Sequence, residues 1–133
     1  MFSIKSISEL ESLSQKVKWQ YFEKLVAFIF EQNGFDTKQN VVVVKGKTKR
    51  QFDVIASRFG KTYVIECKKW RSRKNIEYAV SRAAREHKER CEFYKNAYAD
   101  AFPLIVILME TNIATEMPVV PITKLNAYIN EEL

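Results

Sequence analysis

Between Gln51 and Trp70 the chain carries two runs of β-branched and aromatic residues, on either side of Arg58-Phe59-Gly60-Lys61. Two such arms around a glycine-containing tetrapeptide predict antiparallel strands joined by a tight turn. Side chains alternate faces along a strand, so Glu66 and Lys68 share one face. With Phe59-Gly60 at the centre of the turn, Asp53 falls directly opposite Glu66. Facing Cβ atoms in such a pair lie about 4.5–5.5 Å apart, and like charges there oppose pairing. Two carboxylates and an ammonium on one patch of a strand pair call for a cation as the missing partner.

The hairpin constrains what can flank it. Upstream, residues 16–33 read as a helix ended by Gly34, with Val17, Phe22, Leu25, Val26, Ile29 and Phe30 on its apolar face. Glu23 lies on or beside that face, where a carboxylate at the rim is the ordinary reading. Ser8 and Glu11 have the spacing of a capping box, with Leu10 and Leu13 as its apolar pair. Residues 35–45 read as extended, and residues 45–50 as a basic connection turning at Gly46. Downstream, residues 69–74 form a second basic loop and Asn75 is placed to cap a helix over 76–98. Ile76, Val80, Ala83, His87, Cys91, Tyr94 and Tyr98 make its packing stripe, and His87 within it reads as a structural histidine. Pro103 introduces an apolar strand over 104–109, of the kind buried on both faces. Two prolines make residues 118–121 an edge or a linker. Thr123 is placed to cap a last helix through Ile129. The order α-β-β-β-α-β-α predicts one α/β domain over residues 1–133: a mixed β-sheet flanked by helices.

Charge points to the class of partner. Residues 45–95 hold 16 Lys and Arg against six Asp and Glu, whereas the whole chain of 133 residues carries a net charge of +6. A basic middle in an acidic frame suits a polyanion, of which nucleic acid is the commonest. One histidine and two distant cysteines, Cys67 and Cys91, do not make a zinc site of the usual kind. Free thiols fit a reducing compartment. With no apolar run long enough for a bilayer and no signal peptide, a cytoplasmic protein without a membrane role is expected.

The hairpin patch has the chemistry of a hard-cation site. Mg²⁺, for which Mn²⁺ commonly substitutes, prefers oxygen ligands. Asp53 and Glu66 offer carboxylates, the backbone carbonyl of Cys67 a third oxygen, and Glu23 a fourth, directly or through a water. A metal held there polarises a phosphodiester and acidifies a bound water. Lys68 beside that water can orient it, deprotonate it, or stabilise charge on the phosphate.

Phe52-Asp53-Val54-Ile55-Ala56 followed by Tyr63-Val64-Ile65-Glu66-Cys67-Lys68 resembles the PD-(D/E)xK nuclease motif, with Phe52 where the motif has proline. The segment from Phe22-Glu23 to Gly34-Phe35 and the closing Val119-Val120-Pro121-Ile122 are also similar to that superfamily, in particular to archaeal Holliday-junction resolvases and Mrr-type restriction endonucleases. The resemblance implies a restriction-endonuclease-like fold and Mg²⁺-dependent hydrolysis of DNA, with catalytic positions Glu23, Asp53, Glu66 and Lys68. Many Mrr-like members place a glutamine in the helix after the motif; residues 75–98 contain none.

Lys45, Lys47, Lys49 and Arg50 flank one end of the patch, and Lys69, Arg71, Arg73 and Lys74 the other. Phosphate contacts from such residues hold a duplex without reading its sequence. Trp70 either stacks on a base or anchors its loop; Arg82 and Arg85 either reach phosphates or pair with Glu86 and Glu89. The expected partners are DNA and a second copy of the chain, since cutting two strands takes two sites. No nucleotide cofactor is expected. The competing reading is a non-catalytic nucleic-acid-binding module on the same fold.

Overall fold

The computed structural model describes residues 19–70, 72–111, 113 and 115–133, with backbone only at Trp19 and Gln20. The elements run α1 (Trp19–Gln32), β1 (Asp36–Lys45), β2 (Thr48–Arg58), β3 (Lys61–Lys68), α2 (Ile76–Ala97), β4 (Phe102–Ile107), β5 (Val119–Pro121) and α3 (Ile122–Glu132). Among the described residues the strands form one sheet in the order β1-β2-β3-β4-β5. The first three pair antiparallel, while β4 and β5 add in parallel after α2 crosses over. This is the expected mixed sheet with one strand more, because residues 119–121 hydrogen-bond to β4 as a three-residue edge. The edge is the position that tolerates Pro121, which has no N–H to donate.

Helices cover both faces. Phe22, Leu25, Val26, Ile29 and Phe30 of α1 are fully buried, with Val54, Ile65 and Cys67 from the sheet and Leu125 and Ile129 from α3. The opposite face carries α2: Cys91 and Tyr94 pack on Phe52, Ile55 and Val64, and Ala83 and Ala84 pack on Ile105 and Ile107. Gly34 ends α1 as expected, at φ +84. The Phe35 N–H reaches the Phe30 carbonyl and the Gly34 N–H that of Glu31, a Schellman closure. The rings of Phe30 and Phe35, with centroids 5.0 Å apart, supply its apolar contact.

The hairpin of β2 and β3 turns at Phe59 and Gly60, with φ of +54 and +77, and keeps the expected register, Val54 facing Ile65. On its other side β2 pairs with β1 in a constant register that skips one position, the pair Asn40 and Asp53. Asn40 has φ +52. Across the skip both strands change sides together. Phe52 and its partner Val41 pack under α2, although Val54, two residues on, packs under α1. Alternation would put residues 52 and 54 on one face. This matched break leaves Asp53 unpaired on β1 and turns its segment out of the regular pleat, as bulges do beside active sites.

Four local expectations change. The basic connection over 45–50 is mostly strand: Lys45 pairs with Thr48, Lys49 with Val44 and Arg50 with Val43. Asn75 precedes α2, but in the left-handed region at φ +57 and without a side-chain cap. Helix α3 starts after Pro121, so Thr123 is no cap, and its hydroxyl instead donates to Glu110 Oε1 at 2.8 Å. Tyr98, at the end of the packing stripe of α2, is two-thirds exposed. The capping-box pair Ser8 and Glu11 lies outside the described residues.

Candidate active site

Asp53 sits where β2 and β3 part, one position past the last pair, Val54 with Ile65. Instead of facing Glu66 in the ladder, it accepts the Cys67 N–H on Oδ2 at 2.8 Å. That bond closes the fork and holds the carboxyl near three elements. Glu23 reaches it from α1 and is itself buried, 7% exposed. Glu66 reaches it from β3, and the two side chains hydrogen-bond. The sequence thus brings Glu23, Asp53 and Glu66 to one point from a helix and two strands.

Their proton affinities diverge. Burial, then the bond to Glu66 and its charge, push the Asp53 carboxyl up to about 8, against the pull of the Cys67 N–H. Burial also raises Glu23, although its bond to Asp53 pulls the other way. Glu66 is buried too, but the Asp53 hydrogen bond and the charges of Arg90 and Lys68 bring it below the usual range. At neutral pH, therefore, Asp53 keeps a proton and Glu66 is ionised; crowded carboxylates cannot all be charged at once.

Helix α2 supplies what the sequence reading missed. Arg90 pairs with Glu66 Oε2 through Nη1, and the Glu66 side chain is only 12% exposed. His87, one turn earlier, bonds the Val64 carbonyl through Nε2 at 2.9 Å. A carbonyl only accepts, so the proton is on Nε2; the buried Nδ1 has no partner among the described residues. Burial holds His87 below its ordinary range, and it is structural, as expected. The signal for Arg90 was present: it is three residues from His87 and beside Cys91 on the buried stripe, where an arginine needs an anion.

The donor set suits a hard cation. All three converging side chains are carboxylates, while the Cys67 thiol is buried in the core and pushed far up by its surroundings. Among the described residues no group of three or more Asp, Glu, His or Cys side chains is placed to hold a metal ion. Lys68, half-buried on the Glu66 side of β3, anchors β4 through its carbonyl, which accepts the Leu108 N–H at 3.0 Å.

The basic residues divide by setting. Lys45, Lys47, Lys49 and Arg50 line the end of the β1–β2 ribbon, exposed, and take part in no ion pair among the described residues. Arg50 stacks over Phe93 at 5.7 Å and Lys45 reaches the Asn96 carbonyl at 3.4 Å, which ties the ribbon to α2. Arg73 and Lys74 are exposed after β3, with half-buried Lys69 nearer the strand; Arg71 lies outside the described residues. Trp70 packs against the cluster of Ala83, Ile105 and Met117, so it anchors its loop. Arg82 pairs with Glu86 at 3.5 Å on the wet face of α2, where Arg85 is also exposed. Among the described residues no helix is long and apolar enough to cross a membrane.

Comparison with known proteins agrees with this fold. A family model described as restriction endonuclease, Mrr_cat, matches residues 14–95. An uncharacterised protein of Archaeoglobus fulgidus is 27% identical over 116 residues, which cover 85% of this chain and 90% of that protein. A solved protein of unknown function superposes with a TM-score of 0.59 at 24% identity, over 86% of this chain and 55% of that one, so the chain spans about half its length. The small subunit of the heterodimeric restriction endonuclease R.BspD6I superposes with a TM-score of 0.54 at 15% identity, over 86% of this chain and 69% of the subunit.

Proposed function

The chain belongs to the restriction endonuclease family Mrr_cat, and from that premise we propose that it is a metal-dependent endonuclease that hydrolyses DNA phosphodiesters. The observation that carries this reading is the meeting of Glu23, Asp53 and Glu66 at the fork of β2 and β3, with Lys68 two residues beyond Glu66. Asp53, Glu66 and the Cys67 carbonyl would hold Mg²⁺, or Mn²⁺ in its place, with Glu23 contributing directly or through a water. The bound cation supplies Lewis acidity toward the phosphate and acidifies water. Asp53 must release its proton for the site to load, and the Cys67 N–H then holds its carboxylate in place. Arg90 fixes Glu66. Lys68 orients the attacking water or neutralises charge that builds on the phosphate.

Phosphates are held by Lys45, Lys47, Lys49 and Arg50 on one side and by Lys69, Arg71, Arg73 and Lys74 on the other, with Arg82 and Arg85 further along α2. Such contacts suit selection by DNA form, as in junction resolution or Mrr-like cutting. One Asp53–Glu66–Lys68 set cuts one strand, so a homodimer is expected for two-strand cleavage; sedimentation equilibrium tests it, and a monomer mass counts against it.

The deciding experiment is cleavage of four-way junction, flap, duplex and single strand with Mg²⁺ or Mn²⁺. Wild type is expected to cut at least one of them, and Asp53→Ala and Lys68→Ala to bind DNA without cutting. Arg90 already occupies Glu66, which favours a second reading: a module that binds DNA and does not cut. Tight binding with no cleavage of any form by either metal establishes that module.

A further inference from the structure

We propose that the outer part of the β1–β2 ribbon, beyond the break at Asn40 and Asp53, enters the major groove of duplex DNA and reads base edges there. The inference rests on the nuclease reading and adds a contact that phosphate binding does not require. Past the break, Val41, Val43 and Phe52 turn under α2. The other face of the ribbon then carries Val42 opposite Gln51 and Val44 opposite Lys49. It is open: Val42 is 52% exposed and Val44 62%. Two adjacent exposed valines on an otherwise charged arm offer an apolar contact to whatever binds that face.

The charge around them names that partner as a polyanion. Lys47 sits at the tip and Lys49 faces Val44, so cations flank the apolar pair, whereas Lys45 turns to α2. Dimensions choose the groove. Two strands about 4.8 Å apart fit a major groove about 12 Å wide, and a minor groove about 6 Å wide is too narrow for them. At about 3.3 Å per residue, Gln51 lies about 7 Å and Lys49 about 13 Å along β2 from Asp53, so the ribbon reaches the groove beside the phosphate at the site. The chemistry matches base edges as well. Valine methyls meet the thymine methyl, a glutamine amide matches adenine, and a lysine reaches guanine O6 and N7. Gln51 is steadied by its Nε2, which donates to Asn40 Oδ1 at 3.3 Å.

The test uses fluorescence anisotropy in EDTA, where nothing is cut, with two duplexes of one sequence containing either thymine or uracil. Uracil lacks only the groove-facing methyl. Wild type is expected to bind the thymine duplex at least about fourfold more tightly, the effect of about one buried methyl. Val42→Ser/Val44→Ser is expected to lose that preference, and Lys49→Ala to lower the slope of log K against log salt by about one. Equal binding of both duplexes by wild type overturns the proposal and needs no variant. A preference that survives in a folded double variant also overturns it. Failure of wild type to bind any duplex at low salt while it binds junction or single strand also overturns the proposal; failure to bind any of these DNA forms would instead remove the nuclease reading itself.

Discussion

Asp53→Asn isolates the electrostatics of the site. Asparagine keeps an oxygen to accept the Cys67 N–H and has an amide where protonated Asp53 carries its hydrogen, so it imitates the protonated form at every pH. Asp53 titrates at about 8 in the folded protein against an ordinary value of 3.8. An acid raised on folding keeps its proton in the native state after the unfolded chain has lost it. Native stability therefore falls as pH rises from about 4 to about 8 and levels off above that. Four units correspond to a ceiling of about 6 kcal/mol. Glu23 and Glu66 share the strain and relax when Asp53 changes, so about 2–3 kcal/mol is expected from this one substitution. In metal-free buffer, urea unfolding should show Asp53→Asn more stable than wild type by that amount at pH 8.5. The two should converge at pH 4. Adding Mg²⁺ should stabilise wild type more than the variant, because only wild type regains a charged carboxylate for the ion. Parallel stability curves for the two proteins from pH 4 to pH 8.5 would refute the reasoning.

The remaining predictions concern the supports of the site. Arg90→Ala leaves Glu66 buried beside Asp53 without its guanidinium, and should cost about 1–3 kcal/mol by urea unfolding at pH 7, with a smaller loss at pH 4 where Glu66 can take a proton. An equal loss at both pH values would mean that Arg90 acts by packing alone. Asn40→Val places a β-branched residue at φ +52 and should destabilise by about 1–2 kcal/mol, while Asn40→Gly should be near neutral. Equal stability of the two variants in a thermal melt would show that residue 40 is not held in the left-handed region.

The sequence made the frame legible because its signals were local. Gly34 after an apolar helical face, Phe59-Gly60 between two β-branched runs, and the stripe through Val80, Cys91 and Tyr94 each name an element and its buried side. The hairpin register brought Asp53 and Glu66 near each other, while the place of Glu23 beside them came from the family resemblance. What escaped was non-local. Val119 and Val120 have no strand alternation of their own; they are a strand because β4 offers an edge. Arg90 stood beside the buried stripe, but the partner that explains it, Glu66, lies 24 residues away. The break at Asn40 and Asp53 needs two strands to change sides together, and the four valines from 41 to 44 look the same on either face.

Because the β1–β2 register is the same on either side of Asn40 and Asp53, residues can be added to or taken from the ribbon in matched pairs without moving the carboxylate. The outer arm is in that sense a detachable tool on a fixed handle. Hairpins of other lengths and tips can be spliced in beyond the break, with the carboxylate cluster at the fork left in place.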